Sequence, residues 1–153
     1  MLLHRVETGY TKMHIDNKGA PDYKYADLTH VILNAAFEVQ NILGCGFLEK
    51  VYENAFVYEL EMRGYKVAAQ RNIQVHYKEK IVGDYVADTV VEDKVVLELK
   101  AVEGITTIHK AQLLNYLKAT GYQVGLIINF AKPRLEYARL ELMDSPFLTK
   151  KQQ

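Results

Sequence analysis

The 153-residue chain has the length of one domain, and its 49% of hydrophobic residues is enough to build a sizeable core. Its 19 Lys and Arg balance 19 Asp and Glu, so no global field draws it to nucleic acid or an anionic membrane, and any polyanion must meet a local basic patch. The single cysteine, Cys45, excludes an intramolecular disulfide, a four-cysteine zinc site and an iron–sulfur cluster.

Residues 1–24 mix polar, aromatic and glycine residues without period and read as an N-terminal arm, with His4 and His14 exposed. The first ten residues have neither the basic start nor the apolar run of a signal peptide, and the longest apolar runs are strand-sized. A soluble, cytoplasmic protein is expected. From Leu28 the texture is helical. Leu28, Val31, Ile32, Ala35, Ala36, Val39, Ile42 and Leu43 recur at three and four, with Asp27 as a candidate cap and Gly44 after the end. The turn Gly44-Cys45-Gly46 leads to a second helix over 47–63, with Leu48, Val51, Tyr52, Ala55, Phe56 and Leu60 as its apolar stripe and Gly64 as its stop.

Beyond Gly64, alternation and β-branched residues predict strands over 65–69, 73–77, 81–91 and 95–101, with 78–80 and 92–94 as polar turns. Helical spacing returns over 107–120, a buried strand follows over 124–130, and 135–142 fits an edge strand or a short helix. The order predicts an α/β (α+β) domain over 25–145, one mixed β-sheet flanked by helices, with a tail at 146–153.

The chemistry concentrates between Asp84 and Lys100. On a strand, Glu98 and Lys100 project from one face while Leu97 and Leu99 project from the other. If residues 92–94 form a three-residue loop, Val91 pairs with Val95 and Asp88 lies opposite Glu98; a two-residue loop would pair Asp88 with Leu97 and break the cluster. Two carboxylates held together call for a cation, and Mg²⁺ takes one or two carboxylates while keeping water and substrate oxygens. Lys100 beside that ion could orient or deprotonate a water for phosphodiester hydrolysis. The plainer reading makes Glu98 and Lys100 an ordinary exposed ion pair. Against it, the flanks Val95-Val96-Leu97 and Ala101-Val102 mark an apolar, central strand, where charge is costly unless paired or lining a site.

Asp88, Glu98-Leu99-Lys100 and the helix segment Gln112-Leu-Leu-Asn-Tyr116 resemble the active-site pattern of the PD-(D/E)XK nuclease superfamily, and Gly46-Phe-Leu-Glu49-Lys-Val-Tyr52 resembles the motif of its GxxExxY protein family. The resemblance spans residues 28–142. It implies a restriction-endonuclease-like fold and Mg²⁺- or Mn²⁺-dependent hydrolysis of nucleic acid, most plausibly DNA. It also implies Asp88 and Glu98 as metal ligands, Lys100 as the water-handling residue, Glu49 as a further acid from a helix, and Gln112 with Tyr116 as an accessory pair. Ala87 stands where the superfamily name has proline.

Spacing alone puts Glu49 and Glu53, and likewise Gln112 and Tyr116, on shared helix faces. Without the resemblance Glu49 is equally a first-turn acid favourable to the helix dipole. His109 shares the Gln112 face and is either a phosphate contact or an ordinary polar residue. Asp84 is a second strand acid or an edge residue, and Cys45 more simply fills a tight turn than serves as a nucleophile. Lys66, Arg71, Lys110, Lys118, Lys132 and Arg134 are candidates for the basic patch. The alternative to a nuclease is a silent nucleic-acid-binding or protein-interaction module of the same fold, with a second copy or a partner protein left open.

Overall fold

The computed structural model describes residues 4–10 and 23–142; over 4–10 and at Gln70, Arg71, Ile73 and Asp88 it describes the backbone alone. The elements run β1 (His4–Tyr10), α1 (Ala26–Leu43), α2 (Glu49–Met62), β2 (Val67–Tyr77), β3 (Lys80–Val91), β4 (Val95–Lys100), α3 (Thr107–Thr120), β5 (Val124–Asn129) and β6 (Glu136–Leu142). Three expectations are corrected. Part of the expected arm is a strand, since His4–Tyr10 pairs antiparallel with β6; this makes β6 an inner strand, while residues 11–22 and the tail lie outside the described residues. The two strands expected over 65–77 are one, because β3 offers a continuous antiparallel edge and neither Gly nor Pro interrupts residues 67–77. Asp27 lies in the first turn of α1, whose N-cap is Tyr25 at φ 57°.

One six-stranded sheet has the order β1-β6-β5-β4-β3-β2, with β4 and β5 parallel and every other neighbour antiparallel. The parallel pair is joined by α3 as a crossover, the connection such a pair needs. Apart from Glu98, Lys100 and Asn129, β4 and β5 are apolar, and both are buried on both faces up to Lys100, as the centre of a covered sheet requires. On one face, Val95, Leu97, Leu99, Leu126 and Ile128 pack under Ile32, Val39, Tyr52, Phe56 and Leu60 of α1 and α2. On the other, Val96, Ile127, Ala138 and Leu140 pack under Leu113, Tyr116 and Leu117 of α3. The result is a helix, sheet, helix sandwich.

Two glycines set close approaches. A Cβ on Gly125 would come 2.9 Å from the Leu113 side chain, so α3 lies directly against β5 there. Gly46 has φ 112°, a conformation that L side chains rarely adopt, and it turns the chain from α1 into α2. Tyr52 closes that turn from below: it is fully buried, its hydroxyl donates to the Gly44 carbonyl at 2.7 Å and accepts the Phe47 amide at 3.3 Å, and its ring stacks on Phe130 at 4.9 Å.

The outer stripe of α2 departs from expectation. Tyr52, Phe56 and Leu60 are buried, whereas Leu48 and Val51, expected in the same stripe, are exposed. The helix is held by one narrow face with Ala55 packed beside it, and Leu48, Val51, Tyr58 and Met62 are exposed.

Candidate active site

Alternation along β4 sends Val96, Glu98 and Lys100 toward α3 and Leu97 and Leu99 toward α1 and α2. Glu98 retains only 7% of its surface, so its carboxylate is a charge placed inside the protein. Lys100 Nζ lies 3.9 Å from Glu98 Oε2, a loose ion pair on the shared face, and the Tyr85 hydroxyl donates to Glu98 Oε1 at 3.3 Å. The Tyr85 ring in turn lies 5.1 Å from the Tyr116 ring of α3. A continuous chain therefore runs from α3 through two tyrosines to Glu98 and Lys100.

The loop after β3 has the odd length on which the acid cluster depends. Val91 pairs with Val95, Val90 with Val96 and Thr89 with Leu97, leaving residues 92–94 as the loop. Its left-handed positions are Glu92 and Asp93, with φ 53° and 52°, and the Lys94 amide donates to the Val91 carbonyl at 3.0 Å. The β3–β4 pairing ends at Thr89 and Leu97, one step short of Asp88 and Glu98, and the Asp88 side chain lies outside the described residues. The pairing of β2 with β3 continues through this point in one register from Val91 to Gly83. Tyr85, Ala87 and Val90 all pack on the α3 side, which strict alternation forbids for two odd positions and one even one. Tyr85 thus reaches Glu98 from beyond the last β3–β4 pair.

Beyond Lys100 the polar band continues across two more strands. Lys100 pairs with Asn129 on β5, and Asn129 pairs with Glu136 on β6. Asn129 is fully buried: Nδ2 donates to the Val102 carbonyl at 2.9 Å and to Glu136 Oε2 at 3.0 Å, while Oδ1 accepts the Val102 amide at 3.1 Å and the Ala131 amide at 3.2 Å. Glu136 Oε1 accepts the Ile105 amide at 3.3 Å, and Lys132 Nζ lies 3.4 Å from Oε2. These contacts bind the segment leaving Lys100 to the turn leaving β5, and so set where α3 begins.

The remaining candidates divide. Tyr116 is buried on the site-facing side of α3, and Gln112, one turn before it, is exposed. Glu49 opens α2 and is exposed, on the helical layer across the sheet from α3. His109 is engaged in helix capping: its Nδ1 accepts the Thr106 amide at 3.0 Å while the Thr106 hydroxyl accepts the His109 amide at 3.2 Å, so the ordinary polar reading holds. Asp84 is exposed, and Cys45 is an exposed thiol in the α1–α2 turn. Sequence reasoning missed Tyr85, Asn129 and Glu136. Only Asn129 left a trace, as the polar end of an otherwise apolar run.

Among the described residues, no three His, Cys, Asp or Glu side chains are grouped to hold a metal ion, which leaves no nitrogen–sulfur zinc site. Glu98 offers carboxylate oxygen beside a hydroxyl and a lysine. That donor chemistry fits a hard cation such as Mg²⁺ or Mn²⁺ held by one or two carboxylates, with Glu98 as the described carboxylate available to it. Also among the described residues, no helix is long and apolar enough to cross a membrane.

No curated protein matches the chain. A solved structure titled "Crystal structure of SSO0001" is similar at 19% identity and a TM-score of 0.48, over 78% of this chain and 60% of that one. The family model described as PD-(D/E)XK nuclease superfamily matches residues 26–140, from the start of α1 into β6 and across every element of the site. Members of that superfamily are typically nucleases that use divalent metal ions, their fold is the restriction-endonuclease-like mixed sheet flanked by helices, and this chain belongs to the PD-(D/E)XK nuclease superfamily.

Proposed function

We propose that the protein is a metal-dependent nuclease that hydrolyses phosphodiester bonds of nucleic acid, DNA foremost. The observation that carries the reading is the buried Glu98 beside Lys100 on a central strand. A carboxylate costs several kcal/mol at such a depth, and a site that uses it explains its presence better than a surface ion pair does. Glu98 and Asp88 would hold Mg²⁺ or Mn²⁺, whereas Glu49, exposed on the layer across the sheet from α3, stands apart from them; when bound, the ion polarises the phosphoryl oxygen and offsets the charge of the transition state. Lys100 orients the attacking water through Nζ. Tyr85 keeps Glu98 in one orientation through Oε1, and Gln112 with Tyr116 lines the α3 side.

The distribution of charge supports an approach from α3. Between residues 101 and 134, Lys110, Lys118, Lys132 and Arg134 stand against one acid, Glu103. Between 26 and 63, six acids, namely Asp27, Glu38, Glu49, Glu53, Glu59 and Glu61, stand against Lys50 and Arg63. The segment carrying α3 is thus basic and the α1–α2 segment acidic, with Lys132 of the basic set already paired with Glu136 at 3.4 Å and held to Gln40 of α1.

The test is cleavage of single-stranded DNA, duplex DNA, branched DNA and RNA by purified protein with Mg²⁺ or Mn²⁺. Cleavage should stop with a chelator and fall by roughly a hundredfold or more in Asp88→Asn, Glu98→Gln and Lys100→Met. Lys100→Met should retain Mn²⁺ binding by calorimetry, whereas Glu98→Gln should lose it. Absence of metal-responsive cleavage on every substrate would replace this reading with the silent binding module.

A further inference from the structure

We propose that the outer face of α2 is a docking surface for a basic amphipathic helix of another protein, a proposal independent of the nuclease reading. Leu48, Val51, Tyr58 and Met62 keep the three-and-four spacing of a coiled-coil seam, with Ala55 at the intervening position partly buried against the core. The inner stripe of Tyr52, Phe56 and Leu60 already secures the helix to the sheet, so this second stripe is not needed for the fold. Leu48 is 81% exposed, Tyr58 64% and Met62 63%. Large apolar side chains exposed in register along one helix mark an interaction site rather than scattered exposure.

Charge selects the occupant. The stripe lies on the acidic helical layer, whose only two basic side chains are engaged internally, Lys50 with Glu53 at 3.0 Å and Arg63 with Glu59 at 2.8 Å. Nucleic acid is repelled from this layer, and a second copy of the chain would bring two acidic rims together. A helix with leucines along one seam and lysines or arginines beside it satisfies both the apolar and the electrostatic requirement.

Three synthetic peptides about three heptads long test this: one with Leu at the seam and Lys or Arg flanking it, the same seam flanked by Glu, and the basic peptide broken by a central proline. Fluorescence anisotropy on the intact protein at physiological salt should show the basic helix binding at least roughly tenfold more tightly than either control. Tyr58→Ser with Met62→Ser should weaken it by a similar factor at an unchanged melting temperature, and Glu61→Lys alone should weaken it while improving the Glu-flanked peptide. The proposal is overturned if no peptide binds, if the proline-broken peptide binds equally, or if neither variant changes binding. It is also overturned if sedimentation shows a dimer that Tyr58→Ser with Met62→Ser dissolves, since the occupant is then a second copy.

Discussion

The Tyr85 hydroxyl lies 3.3 Å from Glu98 Oε1, joining a residue three positions before Asp88 to the central acid of the site. A carboxylate with one oxygen engaged presents the other in a fixed direction, and outer partners of this kind commonly contribute ten- to a hundredfold in metal affinity. Tyr85→Phe keeps the ring against Tyr116 and removes only the donor. Calorimetric titration with Mn²⁺ should show affinity falling by roughly tenfold, with melting temperature little changed. Unchanged affinity would reduce Tyr85 to a packing residue.

Tyr52 permits its two contributions to be separated. Tyr52→Phe leaves the Gly44 carbonyl and the Phe47 amide without the hydroxyl between them and should cost about 1–2 kcal/mol. Tyr52→Ala also removes the ring stacked on Phe130 and opens the core, which should raise the cost to about 3–5 kcal/mol. Urea unfolding of the two variants measures the difference. Equal losses would mean that the ring adds nothing to the hydroxyl.

The same turn predicts a contrast between glycines. Gly46→Ala places a side chain at φ 112° and should destabilise by about 1–3 kcal/mol, although nothing lies within 4 Å of the added carbon. Gly83→Ala, in β3 with equal space and no positive φ, should be neutral or slightly stabilising. If both variants unfold at the same urea concentration, the turn does not depend on glycine's freedom.

Periodicity made the helices and central strands readable. Thr107–Thr120 is delimited by a capping threonine and a glycine, and Val124–Asn129 by its apolar run, so local signals agree with tertiary packing there. The strand His4–Tyr10 carries no such pattern, because an edge strand takes its hydrogen bonds from β6 without needing a buried face of its own. Glu98 and Lys100 were legible because i and i+2 share a face on any strand. Tyr85 was not, because it reaches Glu98 from beyond the last β3–β4 pair, where the register read from the hairpin loop no longer applies. Glu136 was hidden for another reason: it meets Asn129 only through the strand order, a long-range fact absent from local sequence.

That Asn129–Glu136 contact gives a pH-dependent prediction. Asn129 Nδ2 donates to Glu136 Oε2 at 3.0 Å in a fully buried position. Asn129→Asp replaces the donor with a second carboxylate, and two buried carboxylates in contact cannot both ionise cheaply, so one proton is held to a pH above the unfolded range near about 4. The folded variant then binds more protons than its unfolded chain, and its stability falls as pH rises. A protonated carboxyl at low pH can donate to Glu136 as the amide did, so the deficit relative to wild type should shrink toward about pH 5 and widen toward about pH 8, by about 1.4 kcal/mol for each unit of raised pKa. Lys132, 3.4 Å from Glu136, offsets part of the repulsion and limits the size of the effect without changing its sign. Asn129→Ala supplies the control: it loses the Nδ2 hydrogen bonds together with the two that Oδ1 accepts and adds no titrating group, so its deficit, although larger, should remain nearly constant over that range. Urea unfolding of both variants at several pH values decides the matter, and a constant deficit for Asn129→Asp would mean that the two carboxylates do not meet.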